Sequence, residues 1–227
     1  MTGLEWEALR LSLKVAVWAT ACSLPLALAV AWLLARRSFP GKTLLDGIVH
    51  LPLVLPPVAV GYLLLLLLGR TSPLGAWLAD SFGLTFVFSW RGAAVAAGVM
   101  AFPLLVRAIR LSLETMDRGL EVAARTLGAG PWRTFVTVTL PLVSPGILTG
   151  VVLAFTRALG EFGATITFAA SVPGETRTIP LAMFTALETP DGEQAALRLA
   201  AISVAVAITT LVASELFARR LSRRIGL

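Results

Sequence analysis

Five stretches of this chain are each long and apolar enough to cross a bilayer as a helix, and that alone decides most of what it can be. A hydrocarbon core of about 30 Å takes about 20 apolar residues at helical rise. Segments 9–35, 45–69, 92–113, 144–170 and 195–218 meet that length. They sit in 227 residues of which only 14% are charged, whereas a soluble domain usually carries about 25%. A cytosolic enzyme and a disordered chain are both excluded. The expectation is an all-α integral membrane protein, one transmembrane domain over residues 1–227, embedded in lipid on several passes. The first stretch is longer than a signal-peptide core of roughly 7–15 residues, and Arg36-Arg37 stand where a small-residue cleavage site would be. It reads as a retained helix.

Lysine and arginine orient the spans. One set of connections holds Arg36, Arg37 and Lys42, then Arg107, Arg110, Arg118, Arg125 and Arg133, then Arg219, Arg220, Arg223 and Arg224. The other holds Arg10, Lys14, Arg70, Arg91, Arg177 and Arg198. Loops richer in Lys and Arg stay in the cytoplasm. With five crossings, the N-terminus is expected outside and the C-terminus inside. The net charge of +6 then records topology and does not mark a nucleic-acid surface.

Prolines interrupt the spans: Pro25 in the first, Pro52, Pro56 and Pro57 in the second, Pro103 in the third. Each removes a helical N–H, and the freed carbonyls need a helix neighbour or cavity water. These are either packing kinks or the irregular backbone of a translocation route, for which Pro56, Pro57 and Gly61 form the best local candidate. Between spans, Pro73 to Phe82 shows helical spacing, and Ile179 to Leu187 is apolar between Pro180 and Pro190. Both suit short interfacial or re-entrant helices.

Catalytic constellations are missing. Gly41-Lys42-Thr43 imitates the end of a phosphate-binding loop, but Arg36 stands where the first glycine belongs and a membrane helix precedes it. With a single cysteine, Cys22, and a single histidine, His50, neither an internal disulfide nor a zinc cluster can form. Both read as packing or interfacial residues.

The long connection 114–143 carries the strongest signal. Glu121-Val122-Ala123-Ala124-Arg125-Thr126-Leu127-Gly128 begins in a helix-favouring run that Gly128 and Gly130-Pro131 stop. A second helix is expected from Pro131 through Trp132 and Phe135 to Leu140, where Pro141 ends or bends it.

Here the chain resembles the permeases of import-type ABC transporters. Their cytoplasmic motif is Glu-Ala-Ala, three residues, Gly, nine residues, Ile, one residue, Leu-Pro. Ala123, Ala124, Gly128, Val138, Leu140 and Pro141 fall on its spacing without gaps, with Val138 for the isoleucine and the acid one position early, at Glu121. Residues 35–42, 51–62, 123–130, 159–168 and 173–180 are similar to molybdate importer permeases; sulfate and thiosulfate permeases share the general pattern. Several things follow from the resemblance. Two copies of the chain would form an alternating-access pathway in a bacterial inner membrane. Two cytoplasmic ATPase subunits would supply energy and themselves bind ATP and magnesium, with no cofactor in this chain. A periplasmic or extracellular molybdate-binding protein would deliver the anion, with sulfate, thiosulfate or tungstate as alternative cargo. Glu121, Ala123, Ala124, Arg125, Thr126, Leu127, Gly128, Ala129 and Gly130 would form the helix that couples permease to ATPase. A secondary transporter, the reading from another class, would need coupling-ion sites or inverted repeats, and neither is evident.

Arg157 and Glu161 lie one helical turn apart in the fourth span. Charges inside a membrane are costly and face a bundle interior or water. The pair either pins helix packing or stands at the pathway. Gly160 and Gly163 flank it and allow close helix approach, and Thr156, Thr165 and Thr167 could line a passage. A conducting site must release what it accepts, so no arginine cluster gripping the anion in mid-membrane is expected. A reporter enzyme fused to the C-terminus should read out in the cytoplasm; activity on the outer side would overturn the orientation.

Overall fold

A computed structural model describes residues 2–225 as helices and short connections; the side chains of Glu215 and of residues 217–225 lie outside the description. Arg219, Arg220, Arg223 and Arg224, four of the orienting charges, are therefore outside the described side chains. Eleven α-helices are present among the described residues: α1 Gly3–Arg36, α2 Lys42–Val54, α3 Pro57–Leu68, α4 Pro73–Phe82, α5 Trp90–Thr115, α6 Arg118–Thr126, α7 Pro131–Thr134, α8 Leu140–Leu159, α9 Gly163–Ala169, α10 Ile179–Leu187 and α11 Glu193–Ile225. A π-helical segment, Phe135–Thr139, joins α7 to α8. The two expected outer helices are α4 and α10, with the bounds read from the sequence.

Helix starts follow local chemistry. Thr2 and Glu5 close a capping box on α1. The hydroxyls of Ser72 and Ser89 accept from Gly75 and Gly92 N–H at α4 and α5. Each satisfies a donor that the first helical turn leaves without a partner.

Four helices meet the length and hydropathy of a span: α1, α5, the continuous run Pro131–Leu159, and Glu193–Ser214 of α11. The second expected span, 45–69, is not one helix. It is α2 and α3, meeting at a 116° bend. Pro57 cannot donate to a carbonyl one turn back, and Pro56 takes an extended ψ of 133° ahead of it. At 1.5 Å per residue, each piece is about 20 Å or less, short of the bilayer core. Connectivity nevertheless makes the pair one crossing. At one end Asp46 of α2 pairs with Arg110, late in α5. At the other, Lys14 of α1 sits 3.7 Å over the ring of Trp90, where α5 begins. The chain therefore passes from one end of the bundle to the other between Asp46 and Trp90.

The fourth span also differs from expectation. Helix runs from Pro131 to Leu159, well before residue 144, and stops at Gly160 instead of continuing to 170. Pro141 does not end it. Leu140 N–H bonds to the Phe135 carbonyl, five residues back. That wider π turn gives room for a proline ring inside an otherwise continuous helix.

The core is built on α5, 67% of whose apolar window is buried. Ala93, Ala97 and Ala101 pack against Ala16, Ala19, Ala27 and Ala31 of α1. On another face α8 approaches through Gly146 and Gly150. A Cβ added at Gly146 would lie 2.3 Å from Ser112 Cβ, and one at Gly150 3.0 Å from Leu105 Cδ1. This is the small-xxx-small spacing by which membrane helices come close, and the sequence carries it as Gly146-Ile147-Leu148-Thr149-Gly150. Helix α9 fits between α3 and α5, with Ala164 and Phe168 in a cluster with Val60, Leu64, Ala96 and Met100.

Gly61 limits the α3–α9 approach: a Cβ there would meet Ala164 O at 2.6 Å and Thr167 Cβ at 2.9 Å. Gly61→Leu should destabilise the detergent-solubilised protein by about 1–3 kcal/mol, the usual range for overpacking. Gly47→Ala, where nothing lies within 4 Å, should be neutral or slightly stabilising. Thermal unfolding followed by tryptophan fluorescence checks both.

Candidate functional site

The connection 114–143 and the broken fourth span hold the chemistry-bearing residues, at two different levels of the bundle. Helix α6 starts at Asp117, whose carboxylate accepts from Gly119 N–H at 2.8 Å. It ends in two reversal bonds, Gly128 N–H to Arg125 O at 2.9 Å and Ala129 N–H to Ala124 O at 3.0 Å. Gly128 sits at φ +87°, a left-handed turn that favours glycine. Gly130 then caps α7, with Pro131 in its first turn. All nine expected coupling positions, Glu121, Ala123, Ala124, Arg125, Thr126, Leu127, Gly128, Ala129 and Gly130, thus fall on one short helix and its turn.

That helix shows one face to solvent and ties the other down. Ala123, Arg125, Thr126 and Gly128 are exposed, and Leu127 is 88% exposed. Val122 and Trp132 add further open apolar surface, with Trp132 stacked on Phe135 at 5.8 Å. Glu121 faces the other way. Its Oε1 accepts from Arg36 at 3.1 Å and from Thr139 Oγ1 at 2.7 Å. One carboxylate therefore joins α6 to the end of α1 and to the π-helical entrance of the fourth span. Thr139 is buried.

Arg36 and Thr139 escaped the sequence reading. Arg36 was given no side-chain partner, and its partner lies 85 positions away. A second tie at this end was also missed. Arg110 pairs with Asp46 at 2.9 Å and Glu114 at 2.8 Å, and His50 lies 3.2 Å from Asp46. His50 is thus an interfacial residue bonded one turn back, its Nδ1 2.9 Å from Asp46 O.

Deeper in the bundle, Arg157 and Glu161 form an ion pair at 2.5 Å. Glu161 is 3% exposed. It stands outside regular helix, in the break between α8 and α9, and its other oxygen accepts from Ala164 N–H at 2.8 Å. The carboxylate thereby satisfies a donor in the first turn of α9 and places negative charge at that helix end. The break brings the remaining candidates together. Pro57 lies beside Gly163, where an added Cβ would come within 2.7 Å of its ring. Gly61 lies against Ala164 and Thr167, and Pro56 precedes the same helix start. Gly160 is exposed. Thr165 is 1% exposed. Thr156 and Thr167 donate back to their own helices, to Val152 O and Gly163 O at 2.9 Å.

At the far end of α9, Ala170 holds φ 57° and ψ −169°, a conformation costly for any residue with a Cβ. Thr176, fully buried, clamps it: its hydroxyl donates to Ala170 O and accepts from Val172 N–H, both at 2.8 Å. No group of three or more His, Cys, Asp or Glu suited to a metal occurs among the described residues.

Comparison with known proteins places the chain in a family. The family model described as binding-protein-dependent transport system inner membrane component matches residues 23–226. The molybdenum transport system permease protein ModB of Escherichia coli K12 is 61% identical over 226 residues, covering 100% of this chain and 99% of that one. ModB of Haemophilus influenzae is 54% identical over 223 residues, 98% of this chain and 97% of that one. The sulfate transport system permease CysW of Synechococcus elongatus is 38% identical over 221 residues, 96% and 76%. A solved bacterial ABC transporter involved in import of the acidic polysaccharide alginate contains a chain that superposes at a TM-score of 0.72 with 19% identity, covering 100% of this chain and 82% of that one. That likeness shows the fold. The apolar spans, the clamped and exposed α6 helix and the full-length match lead to one conclusion: this chain belongs to the family of inner membrane components of binding-protein-dependent transport systems.

Proposed function

We propose that the chain is the permease of an ATP-driven molybdate importer, two copies of it forming an alternating-access pathway across the inner membrane. The observation that carries the coupling role is helix α6, exposed on its outer side yet fastened by Glu121 to two spans on its inner side. A helix held this way passes rigid-body movement of a docked subunit into the membrane. Two separate cytoplasmic ATPase subunits, which bind ATP and magnesium, are the partners that fit its open face. A molybdate-binding protein at the outer end delivers the anion. Selectivity rests mainly on that binding protein, because a pathway must release what it accepts. The pathway runs beside the α3–α9 contact, where two broken spans meet at Pro56, Pro57, Gly61 and Gly163. Arg157 and Glu161 hold that break in shape with their charges mutually neutralised, and Gly160 supplies an exposed hinge.

Molybdate is favoured over sulfate as cargo because the molybdenum permeases of Escherichia coli and Haemophilus influenzae are 61% and 54% identical along nearly the whole chain, against 38% for the sulfate permease. Expressed with its ATPase and binding protein in cells lacking a molybdate importer, the chain should restore uptake of labelled molybdate. A large molar excess of sulfate should compete weakly and tungstate strongly; effective competition by sulfate would assign the cargo to sulfate instead.

Gly128→Trp should insert in the membrane and assemble, because open space surrounds that Cβ position, yet lose uptake. A bulky residue forced into a left-handed turn costs about 1–2 kcal/mol and disturbs the docking face. Membrane-fraction immunoblots and uptake assays check this, and normal uptake by the variant would remove α6 from the coupling role.

A further inference from the structure

A groove of about 980 Å³ opens at the arginine-rich end of the bundle, between α1 and the Pro131–Leu159 helix, with α5 at its back. Its walls are Leu28, Ala29, Leu33, Leu140, Val143 and Ile147. Its mouth is chemically different, lined by Arg36, Arg37, Arg125, Glu121, Trp32 and Trp132. From Leu28 to Arg36 the groove follows α1 for about 12 Å at helical rise, most of the depth of one leaflet of a bilayer about 30 Å thick.

We propose that this groove binds an anionic phospholipid of the inner leaflet, its phosphate at Arg37 and one acyl chain between α1 and α8. Three features favour that occupant. First, the mouth carries net positive charge: Arg36 is neutralised by Glu121, whereas Arg37 and Arg125 have no ion-pair partner among the described residues. Second, Arg37 lies over the ring of Trp32, its guanidinium carbon 5.6 Å from the centroid, and Trp132 is 76% exposed on the facing wall. Tryptophans at headgroup level above an apolar channel suit a molecule that is polar at one end and hydrocarbon at the other. Basic pockets between spans on the cytoplasmic side attract anionic headgroups. Third, a groove of similar size, about 1000 Å³, lies between α1 and α5. It is lined by Trp18, Cys22, Leu26, Ile48 and Phe102, with Arg91 as its one charged lining residue. Ordinary bilayer hydrocarbon suffices there. A lipid in the first groove would bridge α1 to the same element that Glu121 fastens, so the charge of the membrane would bear on the coupling helix.

The test uses the purified full chain, alone and with its ATPase, and reads lipid adducts by native mass spectrometry, so its result is independent of whether molybdate is the cargo. Phosphatidylglycerol and phosphatidylcholine of matched chains are titrated in turn. Wild type should bind phosphatidylglycerol in clear preference. Arg37→Gln should weaken that binding about tenfold, the effect expected for one lost charge-assisted contact, and leave phosphatidylcholine unchanged. Ala29→Trp, which fills the channel from an exposed position, should weaken both lipids, and Arg91→Gln should weaken neither. Equal binding of the two lipids, or an Arg37→Gln variant that binds like wild type, would overturn the proposal. So would displacement of the lipid by millimolar inorganic phosphate, which would make the arginines a free-anion site, or its expulsion on ATPase assembly, which would give the groove to the partner.

Discussion

Close approach of small residues along α5 is the constraint on which the rest of the structure depends. Lipid tails are as apolar as leucine, so helices in a membrane gain little by simply hiding hydrophobic surface. They hold together where backbones come near enough for dense contact. Alanines of α1 and α5 supply that on one side, and Gly146 and Gly150 of α8 supply it on the other. Once α5 is fixed between two helices, its end presents Arg110 to Asp46, and its other face receives α9.

The two interrupted spans lie against each other. A membrane tolerates broken helix where protein or a water-filled cavity satisfies the freed polar groups. The break at Pro56-Pro57 meets the break at Gly160-Glu161 through Pro57 against Gly163 and Gly61 against Ala164, while Pro56, Pro57 and Gly160 themselves stay exposed. Glu161, buried, spends one oxygen on Arg157 and the other on the backbone of α9. A lone carboxylate there would be prohibitive, and the double partnership keeps the charge tolerable.

Helix α6, proposed as the coupling element, is instead fastened from several sides. A nine-residue helix has little stability of its own. Asp117 caps its start, the reversal at Gly128 seals its end, and Glu121 binds it to α1 and to Thr139. The π turn at Phe135–Thr139 accommodates Pro141 and makes one unbroken helix from Pro131 to Leu159. Movement at α6 therefore has a stiff route into the span that ends at Arg157.

The number of crossings, the coupling motif and both outer helices were legible in the sequence, because each depends on local pattern: apolar length, glycine and proline stops, and a fixed spacing from Ala123 to Pro141. The likeness to importer permeases rested on the same short-range signals. Only the tertiary structure decided that the second span turns by 116°, that the fourth stops at Gly160, and that Thr165 is buried. Hydropathy reports where a segment resides and carries no information on its direction. The partners of Glu121, Arg36 and Asp46 were likewise hidden, since contacts across tens of residues leave no period to read. The sequence by itself thus determined which stretches enter the membrane and which element meets the outside; how charges and breaks are sheltered awaited the packing that brings distant residues together.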